Sequence, residues 1–295
     1  MRWTALTKDP LQPVSRSEHL RTSGVGLSVA FLSLGALVAL LITPTFGAQA
    51  QRVTDANAHL WVSHWGDHRL GKHWGFHTEA HWRRHDMGRT WQQLLLRPAI
   101  NFHLNDQVLF TQGYSYYINY PYGEHPSQFQ NWEHHLYQQV QLTQPLGRVR
   151  VQHRFRMEER FIAKMKADAA DPNEGVLDRY TYQSRFRYRV WVTVPLGKGG
   201  NIGPGVFTAN IYDEVFINFG DSQRLDYVNQ NRISALLGYQ VCAPLNVMAG
   251  YLYQTIQRPG AASGADLIEL NSTLHVALVY NLDLRKKGLP AKDGP

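Results

Sequence analysis

Residues 71–87, GKHWGFHTEAHWRRHDM, place histidines at 73, 77, 81 and 85. On a helix, four imidazoles at that interval would line one face and suggest a metal site. The interval is also even, so on an extended strand the four would share one face as well. The residues between them decide. Trp74, Phe76, Thr78, Ala80 and Trp82 alternate with His73, Gly75, His77, Glu79, His81 and Arg83. On a helix Trp74 and Phe76 would lie about 200° apart, so no apolar stripe could form. Gly75 would weaken that helix further. The period is therefore two, and the histidine spacing is a by-product of a strand with one apolar and one polar face.

The same period recurs along the chain. Leu94, Leu96, Pro98, Ile100 and Phe102 oppose Gln93, Arg97, Asn101 and His103. Over 148–161, Val149, Val151, Phe155, Met157 and Phe161 oppose Arg150, Gln152, Arg154, Arg156, Glu158 and Arg160. Over 179–194 an aromatic and valine face opposes Gln183, Arg185, Arg187 and Arg189. Further strands are expected at 108–118, 227–241 and 270–282, and weaker ones at 57–65, 132–144, 205–217 and 246–256. Tight connections at 105–106, 145–147 and 243–245, and a glycine-rich one at 195–204, alternate with longer polar ones at 121–131, 162–178, 218–226 and 257–267.

Strands of about 10–15 residues exceed the 5–6 usual in a soluble sandwich and suit a membrane span of about 9–11 tilted residues. Trp74 and Trp82, eight residues apart on one face, would stand roughly 19 Å apart across a bilayer at a 45° tilt. The fold expected is all-β, an antiparallel transmembrane β-barrel of about 10–12 strands. Eleven candidate strands are counted, yet bacterial barrels normally close with an even number. The count becomes ten if 57–65 is not a full strand and twelve if one strand is hidden, and twelve is favoured.

The head of the chain fits an exported protein. A polar segment with Arg2, Lys8, Arg16 and Arg21 precedes the uncharged run 24–47 and Ala48-Gln49-Ala50. These read as a signal peptide over 1–50 with an over-long basic n-region; the alternative is a membrane anchor. Residues 51–285 would form the barrel and 286–295 a short basic tail. The part after residue 50 holds 7 of the 8 tryptophans and all 15 tyrosines, with 26 Lys and Arg against 21 Asp and Glu. Basic charge on an exported chain points to anionic lipids, polysaccharides or solutes rather than nucleic acid. Cys242 is the only cysteine, which excludes an intrachain disulfide and a cysteine metal cluster.

With the polar face turned inward, the lumen would carry Arg83, Arg97, Arg150, Arg154, Arg156, Arg160, Arg185, Arg187, Arg189 and Arg232 against Glu79, Glu158, Glu214 and Glu269. Such a ladder needs water, carboxylates or tyrosines around it, because an unpaired charge is costly in a dry core. Two readings follow: a network that plugs and stiffens the barrel, or a functional lumen that attracts anions or binds lipopolysaccharide phosphate. Signals for catalysis are thin. The sequence has no H-E-x-x-H, no G-x-S-x-G and no phosphate loop in LGKGGNIGPG, 196–205. Ser234 and Ser272 are placed facing inward, with His275 close to Ser272 in sequence. His73, His77 and His81 are candidate metal ligands, but same-face neighbours stand about 7 Å apart, so ligands from adjacent strands would be required. No cofactor is expected.

The ordered pieces HWGFHTEAHWR, LLLRPAINFHLND, FRMEERF, YTYQSRFRYRVWVTVPL, DEVFINFG, QNRISALLGYQ and VYNLDLRKK resemble the bacterial family called Domain of Unknown Function 2490. The resemblance covers residues 57–287 and is most specific at Glu158–Phe161, Asn218–Gly220, Asn229–Arg232 and Asn281–Arg285. It implies an outer-membrane β-barrel and carries no reaction. The partners expected of such a barrel are outer-membrane lipids, lipopolysaccharide and the barrel-assembly machinery, with no nucleic acid. One departure is the tail RKKGLPAKDGP after the last strand, where many barrels end on an aromatic residue. The function expected is a small pore or binding barrel with an arginine-lined interior. The alternatives are a lipid- or polysaccharide-modifying barrel enzyme and a structural barrel partnered with an envelope or export machine.

Overall fold

The computed structural model describes residues 52–197, 200–219, 228–258 and 266–285. The expected signal peptide and basic tail lie outside them. Within them the period-two reading holds throughout. The strands are β1 Arg52–Arg69, β2 Trp74–His85, β3 Thr90–His103, β4 Val108–Asn119, β5 Asn131–Leu146, β6 Val149–Ala167, β7 Gly175–Pro195, β8 Phe207–Phe219, β9 Val228–Cys242, β10 Leu245–Arg258 and β11 Asp266–Tyr280. Each pairs with its sequence neighbours, and β1 pairs with β11 to close the barrel.

Eleven strands fall within the expected range but correct the expectation of an even number. The first strand is a full strand of 18 residues, not the short 57–65. It runs parallel to β11, from Arg52 opposite Asp266 to Trp65 opposite Val279. The sheet is therefore mixed rather than wholly antiparallel, and an odd count forces that, because an up-and-down chain returns to its first strand in the same direction. The start of β1 and the end of β11 consequently lie at opposite rims. The connections 120–130 and 168–174 share one rim with the ends of β8 and β10, called here the loop rim. The tight connections 104–107, 147–148 and 243–244 share the other, the turn rim, together with 200–206.

Burial is inverted relative to a soluble protein. Among the described residues, thirty-four polar or charged ones are buried against sixteen hydrophobic ones, whereas Trp74, Ile100, Leu136, Ile211, Ile233, Leu237 and Leu274 stand exposed. Aromatic residues gather on the outer surface toward both rims. Trp82 meets Trp91 edge-on near the loop rim, and Trp74 meets Phe102 near the turn rim.

Side chains rather than backbone fill the interior. Tyr137 on β5 faces Gly113 on β4, and a Cβ at that glycine would collide with the tyrosine ring. The missing side chain lets the ring lie flat on β4, where it takes the Arg156 guanidinium at 4.4 Å from its centroid. A second cluster joins Trp61, Trp191, Tyr212, Leu236 and Leu252 on the inner wall. It is an apolar patch in a mostly polar lumen.

Candidate functional site: an arginine-rich lumen

The antiparallel β6–β7 pair sets Arg154 opposite Arg189, Arg156 opposite Arg187 and Glu158 opposite Arg185. Like charges placed directly across a sheet repel. Two carboxylates offset them. Glu158, wholly buried, accepts from Arg185 Nε at 2.8 Å and Nη2 at 2.6 Å, and from Arg187 Nη1 at 2.7 Å. Arg156 reaches it only at 3.8 Å and bonds mainly to Gln139 Oε1. Glu214 on β8 accepts from Arg154 Nη2 at 2.5 Å and Arg187 Nη2 at 2.7 Å, with Arg232 4.0 Å away. Arg187 thus bridges both carboxylates and ties β6, β7 and β8 together.

A second set lies on the opposite wall. Glu79 pairs with Arg97 and accepts from His77 at 3.2 Å and His81 at 2.6 Å. His81 Nδ1 is 2.7 Å from Ser63 Oγ, which is also 2.9 Å from His275 Nε2. Near the loop rim, Arg160 pairs with Glu133 at 2.7 Å, and His135 shares that carboxylate at 2.9 Å. Arg258 pairs with Glu269 at 2.9 Å beneath Tyr122, whose hydroxyl donates to Glu269 at 3.0 Å and accepts from Arg258 at 2.7 Å. Burial raises the Tyr122 phenol to about 12, so it keeps its proton for that bond.

These side chains surround a cavity of about 580 Å³. Its lining runs from Tyr122 and Ser127 at the loop rim to Ile202 and Asn281 at the turn rim. Eleven arginines line it against four carboxylates, Asp67, Glu79, Glu133 and Glu214. Glu158 lies behind the lining, beneath its arginines. Several guanidinium donors are buried without a protein partner: Arg83 Nε, Arg154 Nε, Arg156 Nη1 and Arg189 Nε. Among the described residues, Arg83, Arg150 and Arg189 have no carboxylate within ion-pairing distance. Arg83 lies 4.0 Å over Trp61 and bonds to Gln93, while Arg189 lies over Trp191 at 4.9 Å and Tyr212 at 5.6 Å.

Every arginine assigned inward from the sequence faces this lumen, with Arg150 exposed at the turn rim and the others half-buried or buried. Of the histidine candidates, His77 and His81 meet on Glu79, while His73 bonds to the His103 carbonyl at 2.8 Å. No group of three His, Cys, Asp or Glu side chains among the described residues is arranged to hold a metal. The placement of Ser272 needs correction. It shares the outer face with Leu270 and Leu274 and receives the Tyr251 hydroxyl at 2.9 Å, whereas His275 points inward. Ser234 does face inward and donates to the Tyr251 carbonyl at 3.0 Å. The serine that meets histidines is Ser63, whose inward phase Asn57 and His59 marked but Trp61 and Trp65 obscured, and whose partners come from other strands. Glu133 and His135 were likewise hidden in a weakly alternating stretch.

Fold and site together define a closed β-barrel with an apolar outside and an arginine-rich interior. The family described as a protein of unknown function, DUF2490, matches residues 58–264, and the chain belongs to it. No curated protein and no solved structure matches the chain.

Proposed function

We propose that this chain is an outer-membrane β-barrel whose arginine-rich lumen draws anions through or into it. The observation that carries the reading is the charge imbalance along a single cavity, eleven arginines against four lining carboxylates and two more, Glu158 and Glu269, buried beside them, with residues of both rims in the lining. The apolar outer face with aromatics toward both rims supports placement in a bilayer. The longer loops at one rim support an outward orientation of that rim. A lumen of one sign concentrates counter-ions, and salt screens the effect over about 8–10 Å.

The test removes charges that form no ion pair with a carboxylate. Arg83→Gln combined with Arg189→Gln leaves every ion pair of Glu79, Glu158 and Glu214 in place. Planar-bilayer recording under a potassium chloride gradient should show an anion-selective wild type and a reversal potential shifted toward cations in the double variant. A wild type without anion preference overturns the reading.

A second reading, an ester-hydrolysing lumen, rests on the chain from Ser63 Oγ through His81 to Glu79 at 2.7 and 2.6 Å. A base-activated serine oriented by a carboxylate has this order of groups. Against it, Ser63 is 1% exposed and lies beneath His81 and His275, which themselves line the cavity. Labelling by an alkyl fluorophosphonate, lost in Ser63→Ala, would establish catalysis. An unlabelled wild type leaves Ser63 as a hydrogen-bonded strut between strands.

A further inference from the structure

We infer that the lumen holds a specific seat for a phosphate-class oxyanion, built by Arg154 and Arg189 on the β6–β7 wall. This deepens the anion-attracting reading and rests on it for access from the turn rim. Arg189 is the decisive residue. None of its donors has a protein hydrogen-bond partner among the described residues, and its Nε is shut off from solvent. It leans over Trp191 and Tyr212, themselves stacked at 4.8 Å, which hold the guanidinium against the wall. Arg154 sits directly opposite it in register. Its Nη2 reaches over β7 to Glu214 at 2.5 Å, while its Nε is left buried and unpartnered. Two adjacent guanidiniums, one engaged at a single end and one without a hydrogen-bond partner among the described residues, thus face the same cavity.

The ligand class follows from the donors. Planar guanidinium forks match pairs of oxygens on a tetrahedral oxyanion, and such bonds are stronger than those between neutral groups. A halide offers no paired oxygens. Charge argues in the same direction. Glu214 lies close by, but Arg154 and Arg187 bond to it and Arg232 approaches it. The wall keeps a surplus that a doubly charged anion can offset. Arg150, on the same face of β6 as Arg154, stands exposed at the turn rim. Four residues of strand separate the two, about 13 Å, which makes Arg150 a first contact for an anion arriving from that side.

The test titrates inorganic phosphate into the full-length barrel in neutral detergent, followed by calorimetry, with two variants of equal charge. Arg189→Gln removes the open guanidinium of the seat. Arg83→Gln removes the same charge from β2, on the opposite wall. Saturable binding is expected for the wild type. It should weaken about ten-fold or more in Arg189→Gln, as loss of a charge-assisted pair implies, and hold in Arg83→Gln. Equal weakening in both variants, or no saturable binding, overturns the seat. The chloride-gradient recording on the same preparations separates the two claims. Anion selectivity without phosphate binding leaves the lumen reading standing and the seat refuted. Phosphate binding without selectivity keeps the seat and removes the pore. Repeating the titration after adding a lipid with a phosphomonoester headgroup distinguishes sources. Competition by that lipid assigns the seat to a headgroup, and undiminished phosphate affinity assigns it to a free anion.

Discussion

Glu158→Gln should destabilise the barrel by about 3–5 kcal/mol, the usual cost of removing one partner from a buried ion pair. The carboxylate is wholly buried and receives three donors at 2.6–2.8 Å from Arg185 and Arg187. Glutamine keeps the length but removes the charge, and its amide nitrogen would face one of the guanidiniums. The two arginines would then confront Arg156 with no anion between them. Arg189→Gln is the informative comparison. It removes a guanidinium that has no carboxylate partner, so its stability should hold or rise slightly. Urea unfolding of the refolded barrel, followed by tryptophan fluorescence, measures both. Equal stability in the two variants would mean that lumen water, not Glu158, compensates the β6–β7 arginines.

The second large effect belongs to the outer face. Val140 lies near the middle of β5 and points outward between Phe110 on β4 and Phe155 on β6. In the proposed membrane placement, Val140→Arg puts a charge into hydrocarbon, at about 2–4 kcal/mol near the midplane. Gln141, one residue along, points into the cavity. Gln141→Glu sets its charge opposite Arg154 across the β5–β6 pair, where it meets an opposite charge, and should cost under about 1 kcal/mol. Folding into vesicles, read as protease protection against urea, gives the difference. Equal costs at the two positions would contradict placement of the outer face in lipid.

The sequence made the wall legible but not its wiring. Alternation around Trp74–Trp82 and along 148–161 and 179–194 was enough to turn Arg83 and the arginines of β6 and of 185–189 inward, because a period of two leaves only two faces. It could not say which arginine meets which carboxylate. That depends on register and on side chains that cross a strand, as Arg154 does to reach Glu214. Nor could it show that Arg189 is left over. Ser272 was misplaced although its phase relative to Leu270 and Leu274 was readable. The strand count misled for a different reason. In β1, Trp61 and Trp65 point inward and blur the contrast between the two faces. The parallel pairing of β1 with β11 leaves no turn in the sequence to mark it.

That pairing also shapes how the barrel can be made. It joins Arg52 to Asp266, positions that lie far apart in the chain, whereas every other strand pair is joined by a short connection. Contacts between such distant segments form slowly, because the intervening chain must be ordered first. The ten hairpin-linked pairings can zip up one after another, while closure waits for β11. Until then β1 and β10 each present an open row of backbone donors and acceptors, which invites pairing with another chain. Closure is thus the step at which a misassembled dimer and a finished monomer part ways.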